Sequence, residues 1–177
     1  MEIKLAKTAG FCFGVNRAVD MLYSMVENGE RVCTLGPIIH NPQVIADLEN
    51  KGVVIISDEN SVPENTKVVI RTHGVEKQVI DTLRSNGVEF CDATCPFVRK
   101  IHKIITENSD ENTVVLIAGD ENHPEVQGIR SYCKGESIVF KNSTDLEKIA
   151  QEHEEYSQKE IIVVWQTTFN TIEYEKC

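Results

Sequence analysis

No apolar run in this chain approaches the length needed to cross a bilayer, and the opening segment, Met1-Glu2-Ile3-Lys4-Leu5-Ala6-Lys7, lacks the long apolar stretch of a secretion signal. The expectation is a cytoplasmic protein with no membrane association. Basic residues are scarce: 18 Lys and Arg stand against 28 Asp and Glu, for a formal net charge of -10. A generic phosphate-backbone binder needs clustered cations, so no nucleic-acid partner is expected. An acidic chain can still hold a small anion through helix N-termini and a few placed side chains. No Cys-x-x-Cys spacing occurs, and Cys91-x-x-x-Cys95 is a poor zinc match. In a reducing compartment the six cysteines, at 12, 33, 91, 95, 133 and 177, read as core residues, metal ligands or nucleophiles before they read as a disulfide framework.

What the chain does have is a repeat. Cys12 to Gly36 and Cys95 to Gly119 are each 24 positions, and Gly36 to His40 and Gly119 to His123 are each 4. The seam is Asp92-Ala93-Thr94-Cys95-Pro96-Phe97-Val98-Arg99-Lys100, which closes one copy and opens the next. Arg71-Thr72-His73 matches Gln166-Thr167-Thr168 only at an offset of 95, against 83 for the cysteines. The second copy is therefore longer, and its extra residues fall in the charged stretch 151–160. Thr72 precedes Cys95 by 23 positions, so a third copy is expected to open with a cysteine at about position 190. The chain reads as two repeats of a three-repeat protein.

Strand and helix patterns alternate throughout. Val15, Val19, Leu22, Met25 and Val26 share a helical face. Asn41-Pro42 opens a helix to Asn50, and Val75 to Arg84 carries another helical pattern. Residues 31–35, Val53 to Ile56 and Lys67 to Ile70 read as strands. The second copy replays the order: helix Val98 to Ile105, strand Thr113 to Ala118, helix Pro124 to Cys133, strand Ser137 to Phe140, helix Thr144 to about Glu155, strand Ile161 to Trp165. That alternation predicts an α/β fold of parallel strands with crossover helices.

Cys12 and Cys95 each read as ending a short strand and preceding a helix, where exposed N–H groups and the helix dipole favour a thiolate. One such cysteine alone reads as a small core residue; the same Cys-x-x-Val placement twice favours a metal ligand or a nucleophile. His40, His73 and His123 follow strand ends and favour an anion site, with Thr72, Asn41, Gln43 and helix N–H groups as helpers. Glu125 reads either as a proton carrier in that site or as a first-turn glutamate stabilised by the helix dipole. Thr167 and Thr168 end a strand and either point a hydroxyl at the site or cap a helix beginning near Phe169. His102 and His153 lack the strand-end placement and read as solvated. Cys33 reads as a buried strand residue, and Cys91 and Cys133 have no repeat partner.

Six motifs, taken in order, resemble the 4-hydroxy-3-methylbut-2-enyl diphosphate reductases: Gly10-Phe11-Cys12-Phe13-Gly14-Val15-x-Arg17-Ala18, Gly36-Pro37-x-x-His40-Asn41, Arg71-Thr72-His73-Gly74-Val75, Asp92-Ala93-Thr94-Cys95-Pro96, His123-Pro124-Glu125-Val126-x-Gly128 and Gln166-Thr167-Thr168. The resemblance implies a trefoil of three pseudo-symmetric α/β modules, each a small, mostly parallel sheet with flanking helices, around a 4Fe-4S cluster. Residues 1–13 would be an N-terminal strand and cluster-ligand segment, 14–95 the first module and 96–177 the second, with the third module absent. Cys12 and Cys95 would be metal ligands and the third cysteine would lie beyond residue 177; Thr171-Ile172-Glu173 begins like the family's later motif but has no cysteine in place, and Cys177 is not carried over. His40, His73, His123 and Thr167 would bind substrate, and Glu125 and Thr167 would be catalytic. The implied activity is iron-sulfur reductive dehydroxylation of an allylic diphosphate to isopentenyl and dimethylallyl diphosphate, with electrons from a ferredoxin- or flavodoxin-type donor and incomplete activity for this chain alone. The alternatives are a non-redox phosphate-ligand-binding or zinc-binding two-module protein, and a thiol-dependent transferase using Cys12 or Cys95.

Overall fold

The central strands form from short β-branched runs whose two faces are both buried. In Thr113–Ala118 all six residues are inaccessible, the signature of a parallel strand covered on both sides. The structure is a computed structural model and describes residues 2–4, 6 and 9–177. In chain order the elements are α1 (Phe13–Glu27), β1 (Val32–Leu35), α2 (Pro42–Asn50), β2 (Val54–Ile56), β3 (Lys67–Ile70), α3 (Lys77–Ser85), β4 (Phe90–Asp92), α4 (Pro96–Asn108), β5 (Thr113–Ala118), α5 (Pro124–Ser131), β6 (Glu136–Phe140), α6 (Ser143–Glu152), β7 (Glu160–Trp165) and α7 (Thr171–Tyr174), with 3-10 turns at Glu59–Ser61 and Glu154–Gln158. Among the described residues no helix is long and apolar enough to cross a membrane.

The chain divides into two compact units: Met1–Thr72 with Glu89–Cys95, and His73–Val88 with Pro96–Cys177. The first holds a four-stranded parallel sheet in the order β2-β1-β3-β4. Its core joins Ala18, Val19, Leu22 and Met25 of α1 to Val32, Ile38, Leu48, Val53 and Val69. Burying a side chain such as Leu22, fully inaccessible, stabilises the fold by about 1.5–3 kcal/mol relative to exposure. The second unit holds a three-stranded parallel sheet, β6-β5-β7. One face packs Val115 and Ile117 against Ile105, Val126 and Ile129 of α4 and α5. The other packs Val114, Leu116 and Ala118 with Phe140 and Tyr156. The α/β class and parallel sheets expected from the alternation are those observed.

Several local expectations differ. The N-terminal strand pattern includes Leu5, which lies outside the described residues; the described residues ahead of Phe13 form no strand, so Cys12 enters α1 from a loop through Gly10 at φ 139°. His102 is buried, 7% exposed, and not solvated: four residues after Val98 and three before Ile105, it continues the buried stripe of α4 and stacks on Tyr132 with ring centroids 4.2 Å apart. His153 is half-buried, stacked on Tyr156 at 4.5 Å. It also interrupts the charged helix, whose backbone leaves helical geometry there (φ -129°, ψ 62°) before the 3-10 turn. The short strand β4 before Cys95 ends at Asp92, three residues earlier than the cysteine.

Candidate functional site

In the first unit the register aligns Leu35 with Ile70 and Ile70 with Asp92, so the loops carrying His40, Thr72 and Cys95 all leave from the C-terminal edge of one sheet, where parallel α/β sheets place their ligands. The Thr72 hydroxyl donates to the Ile38 carbonyl (3.2 Å) and ties down the loop before His40, which is exposed. Asn41 caps α2: its side-chain oxygen accepts from the N–H groups of Gln43 and Val44, both at 3.1 Å. Those helix N–H groups, expected to help an anion, are thus already occupied.

Cys12 is the residue before α1, extended at φ -65° and ψ 163°, with an exposed thiol. Its carbonyl accepts the helix N–H of Asn16 at 2.9 Å. Cys95 is held by its N–H, which donates to the Thr72 carbonyl (2.9 Å), and by the preceding Thr94 N–H, which donates to Asp92 Oδ1 (2.9 Å). Cys95 packs against Gly14, two residues after Cys12: a Cβ on that glycine would stand 2.8 Å from Cys95 Sγ. The Cys95 thiol therefore lies against the first turn of the helix that Cys12 opens. A soft metal centre fits this donor set, because Cys12 is the residue that opens α1 at its positive end and Gly14 keeps the space beside Cys95 clear. Among the described residues no group of three His, Cys, Asp or Glu side chains could hold a metal. Burial pushes the Cys133 thiol up to about 11 and raises that of Cys33, which suits inert packing.

In the second unit Ala118 aligns with Phe140 and with Trp165, so the segments carrying His123 and Thr167 leave the same sheet edge. His123 caps α5, its Nδ1 accepting the Glu125 N–H at 3.2 Å. A neutral imidazole that accepts at Nδ1 carries its proton on Nε2, a donor suited to a phosphate oxygen. The His73 ring lies edge-on to His123 with centroids 5.3 Å apart. Glu125 is 1% exposed, and its two carboxyl oxygens accept from Thr167, one from the backbone N–H (2.6 Å) and one from the hydroxyl (2.8 Å). Burial raises its pKa; the two hydrogen bonds from Thr167 pull it partly back. A carboxyl so placed can hold a proton at higher pH than an exposed one and pass it through a hydroxyl.

Thr167 and Thr168 do not cap the last helix; Asn170 does. Thr168 instead accepts from Gln166 Nε2 at 2.8 Å, while Gln166 Oε1 accepts from the Asp120 N–H at 3.0 Å. Gln166 thus joins the two strand-end loops of this unit, a role the sequence reading did not assign. Its only signal there was an amide directly before the Thr-Thr pair. Each unit accordingly gathers its own subset: in the first, Cys95 lies against the helix that Cys12 opens and His40 occupies a separate loop; in the second, His73 lies beside His123 and Glu125 bonds Thr167.

The parallel sheets with their crossover helices make this an α/β protein of two units, with thiols at a helix start in the first and a buried carboxylate beside histidines at strand ends in the second. The family model described as LytB protein matches residues 3–177, and the chain belongs to that family. A curated relative, the 4-hydroxy-3-methylbut-2-enyl diphosphate reductase of Thermoanaerobacter sp. (strain X514), is 43% identical over 155 residues, covering 85% of this chain and 54% of the relative. The protein of the same name from Anaeromyxobacter sp. (strain Fw109-5) is 40% identical over 176 residues, covering 99% and 60%. A solved (E)-4-hydroxy-3-methyl-but-2-enyl diphosphate reductase, described as the terminal enzyme of the non-mevalonate pathway, superposes with a TM-score of 0.77 at 38% identity, over 98% of this chain and 60% of that one. The Plasmodium falciparum reductase superposes with a TM-score of 0.81 at 28% identity, over 96% and 52%. The chain spans between about half and three fifths of the length of the relatives it matches.

Proposed function

We propose that this chain carries the cluster-binding and proton-handling parts of a reductase acting on 4-hydroxy-3-methylbut-2-enyl diphosphate. The reaction breaks the allylic carbon–oxygen bond, takes up two electrons and two protons, and releases water with isopentenyl or dimethylallyl diphosphate. Cys12 and Cys95 would hold a 4Fe-4S cluster, with the third protein ligand expected outside residues 1–177. Bound there, the cluster supplies the electrons, received one at a time from a ferredoxin- or flavodoxin-type donor. His40, His73 and His123 bind the diphosphate, His123 through the Nε2 proton that its cap leaves on the outer side. Glu125 holds the proton destined for the departing hydroxyl, and Thr167, bonded to both its oxygens, relays it and fixes the carboxyl's orientation. Residues 14–95 and 96–177 are read as two successive modules of the family's architecture.

The observation that carries this reading is the Cys95 thiol lying against the first turn of α1, which Cys12 opens. Anaerobic reconstitution with iron, sulfide and an external thiol tests it. A brown, oxygen-sensitive chromophore is expected, lost in Cys12→Ser and in Cys95→Ser. Zinc uptake with no visible absorption would favour the phosphate- or zinc-binding alternative, and a colour indifferent to both serines would sink the assignment of these ligands.

A further inference from the structure

We infer that Arg17 is a positioning residue for Cys95, and that the first turn of α1 sets the spacing of the two thiols. The inference rests on the cluster-ligand reading above and concerns groups that reading does not use. Two neighbouring side chains of α1 each bond the carbonyl of the residue immediately before a cysteine. Asn16 Nδ2 donates to the Phe11 carbonyl at 3.2 Å, and Arg17 Nη2 donates to the Thr94 carbonyl at 2.8 Å. The second bond reaches 77 positions along the chain.

Thr94 is thereby held at both backbone ends, its N–H by Asp92 Oδ1 and its carbonyl by Arg17. The peptide plane entering Cys95 cannot turn without breaking the Arg17 bond, and the direction of that plane sets where the Cys95 side chain starts. Thr94 is itself buried, 4% exposed, so water is poorly placed to replace the guanidinium. Gly14, three residues before Arg17 on the same helix, gives the Sγ its room. One turn of helix thus anchors the backbone before Cys12, anchors the backbone before Cys95 and clears the space for the second sulfur.

Arg17 Nε is buried with no hydrogen-bond partner, and among the described residues no carboxylate lies within ion-pair reach of Arg17. A cation left in that state is costly as a purely structural element; beside a pair of sulfur ligands to an anionic centre, its charge is complementary. Lysine is a poor substitute, since a single ammonium lacks the planar fork that keeps one N–H on the carbonyl.

The test uses the cluster-free 177-residue chain and phenylarsine oxide, which bridges two thiols only when both are within reach. Wild type is expected to take up one arsenical across Cys12 and Cys95, located by mass spectrometry. Arg17→Gln is expected to weaken that uptake by about tenfold, the scale of one lost charged hydrogen bond, with an unchanged circular dichroism spectrum. Arg17→Lys is expected to fall between the two. Uptake by Arg17→Gln equal to wild type overturns the positioning role while leaving the cluster-ligand reading intact. If Arg17→Gln does not fold, Arg17→Lys decides, and uptake equal to wild type again overturns the role. Failure of wild type to bridge at all overturns the spacing role given to α1, while the ligand reading is decided by the reconstitution.

Discussion

The two Gly-x-x-x-His loops, after β1 and after β5, differ by the place of the proline that opens the next helix. In Gly36-Pro37-Ile38-Ile39-His40-Asn41-Pro42 the proline that opens the helix comes two residues after the histidine; in Gly119-Asp120-Glu121-Asn122-His123-Pro124-Glu125 it comes one residue after. Proline at the first helical position fixes where the helix starts, so the cap falls on Asn41 in the first unit and on His123 in the second. The position that matches Glu125 in the repeat is then Pro42, which has no proton to give. Loops of matching spacing thus carry different chemistry: the first unit presents thiols at an open helix end, and the second buries an acid.

The two glycines sharpen that contrast most strongly. A Cβ at Gly119 would meet Val126 Cγ2 at 2.7 Å and Gln166 Oε1 at 2.9 Å. Val126 is fully buried and branched, so it has no room to swing aside. Gly119→Ala is expected to destabilise the chain by about 2 kcal/mol, as overpacking does, in urea unfolding. At Gly14 the obstacle is the end of one cysteine side chain, and alanine is the better helix former, so Gly14→Ala is expected to change stability by less than about 1 kcal/mol. Its effect lies in the thiol pair, where arsenical bridging of Cys12 to Cys95 is lost. Equal stability losses at the two positions would erase the distinction between a glycine that makes room for a core and one that makes room for a ligand.

Glu125 allows a second, smaller test. Its pKa in the folded chain is raised above the ordinary value of 4.5, chiefly by burial. The native state therefore binds a proton more tightly than the unfolded one, and this residue's contribution to stability falls as pH rises through the range from 4.5 upward. Glu125→Gln removes the titration. The difference in unfolding free energy between the variant and wild type is expected to grow in the variant's favour with pH over that range, by at most about 1.4 kcal/mol per pH unit for one proton. A difference independent of pH there would show that the carboxyl titrates alike in both states.

Much of this architecture was legible in the residues. β3 and β5 run over the spans that their apolar composition marks, and Asn41-Pro42 announces a capped helix because each residue has a local reason to be there. What escaped was what depends on distant partners. His102 looked solvated because it lacks the strand-end placement of the other histidines, yet its place between Val98 and Ile105 put it on the buried face of α4. The approach of Gly14 to Cys95, and the Arg17 bond to Thr94, join segments some eighty residues apart and leave no periodic trace. Glu125 stood open between two readings, since a first-turn glutamate looks the same on paper whether or not a threonine 42 positions later reaches both its oxygens.

The caps themselves give the mildest test. If the shifted proline is the reason that the two histidines differ, the cap energies must follow the shift. Asn41→Ala removes the acceptor of two backbone N–H groups and is expected to cost about 1 kcal/mol. His123→Asn replaces one acceptor by a stronger capping residue, and is expected to leave stability unchanged or raise it by a few tenths of a kcal/mol. The second outcome is the informative one. On the proposed reading His123 serves the anion through its Nε2, so His123→Asn is expected to preserve the melting temperature while weakening pyrophosphate binding, measured by titration calorimetry. A loss of stability matching that of Asn41→Ala would instead make His123 a structural cap and remove it from the anion site.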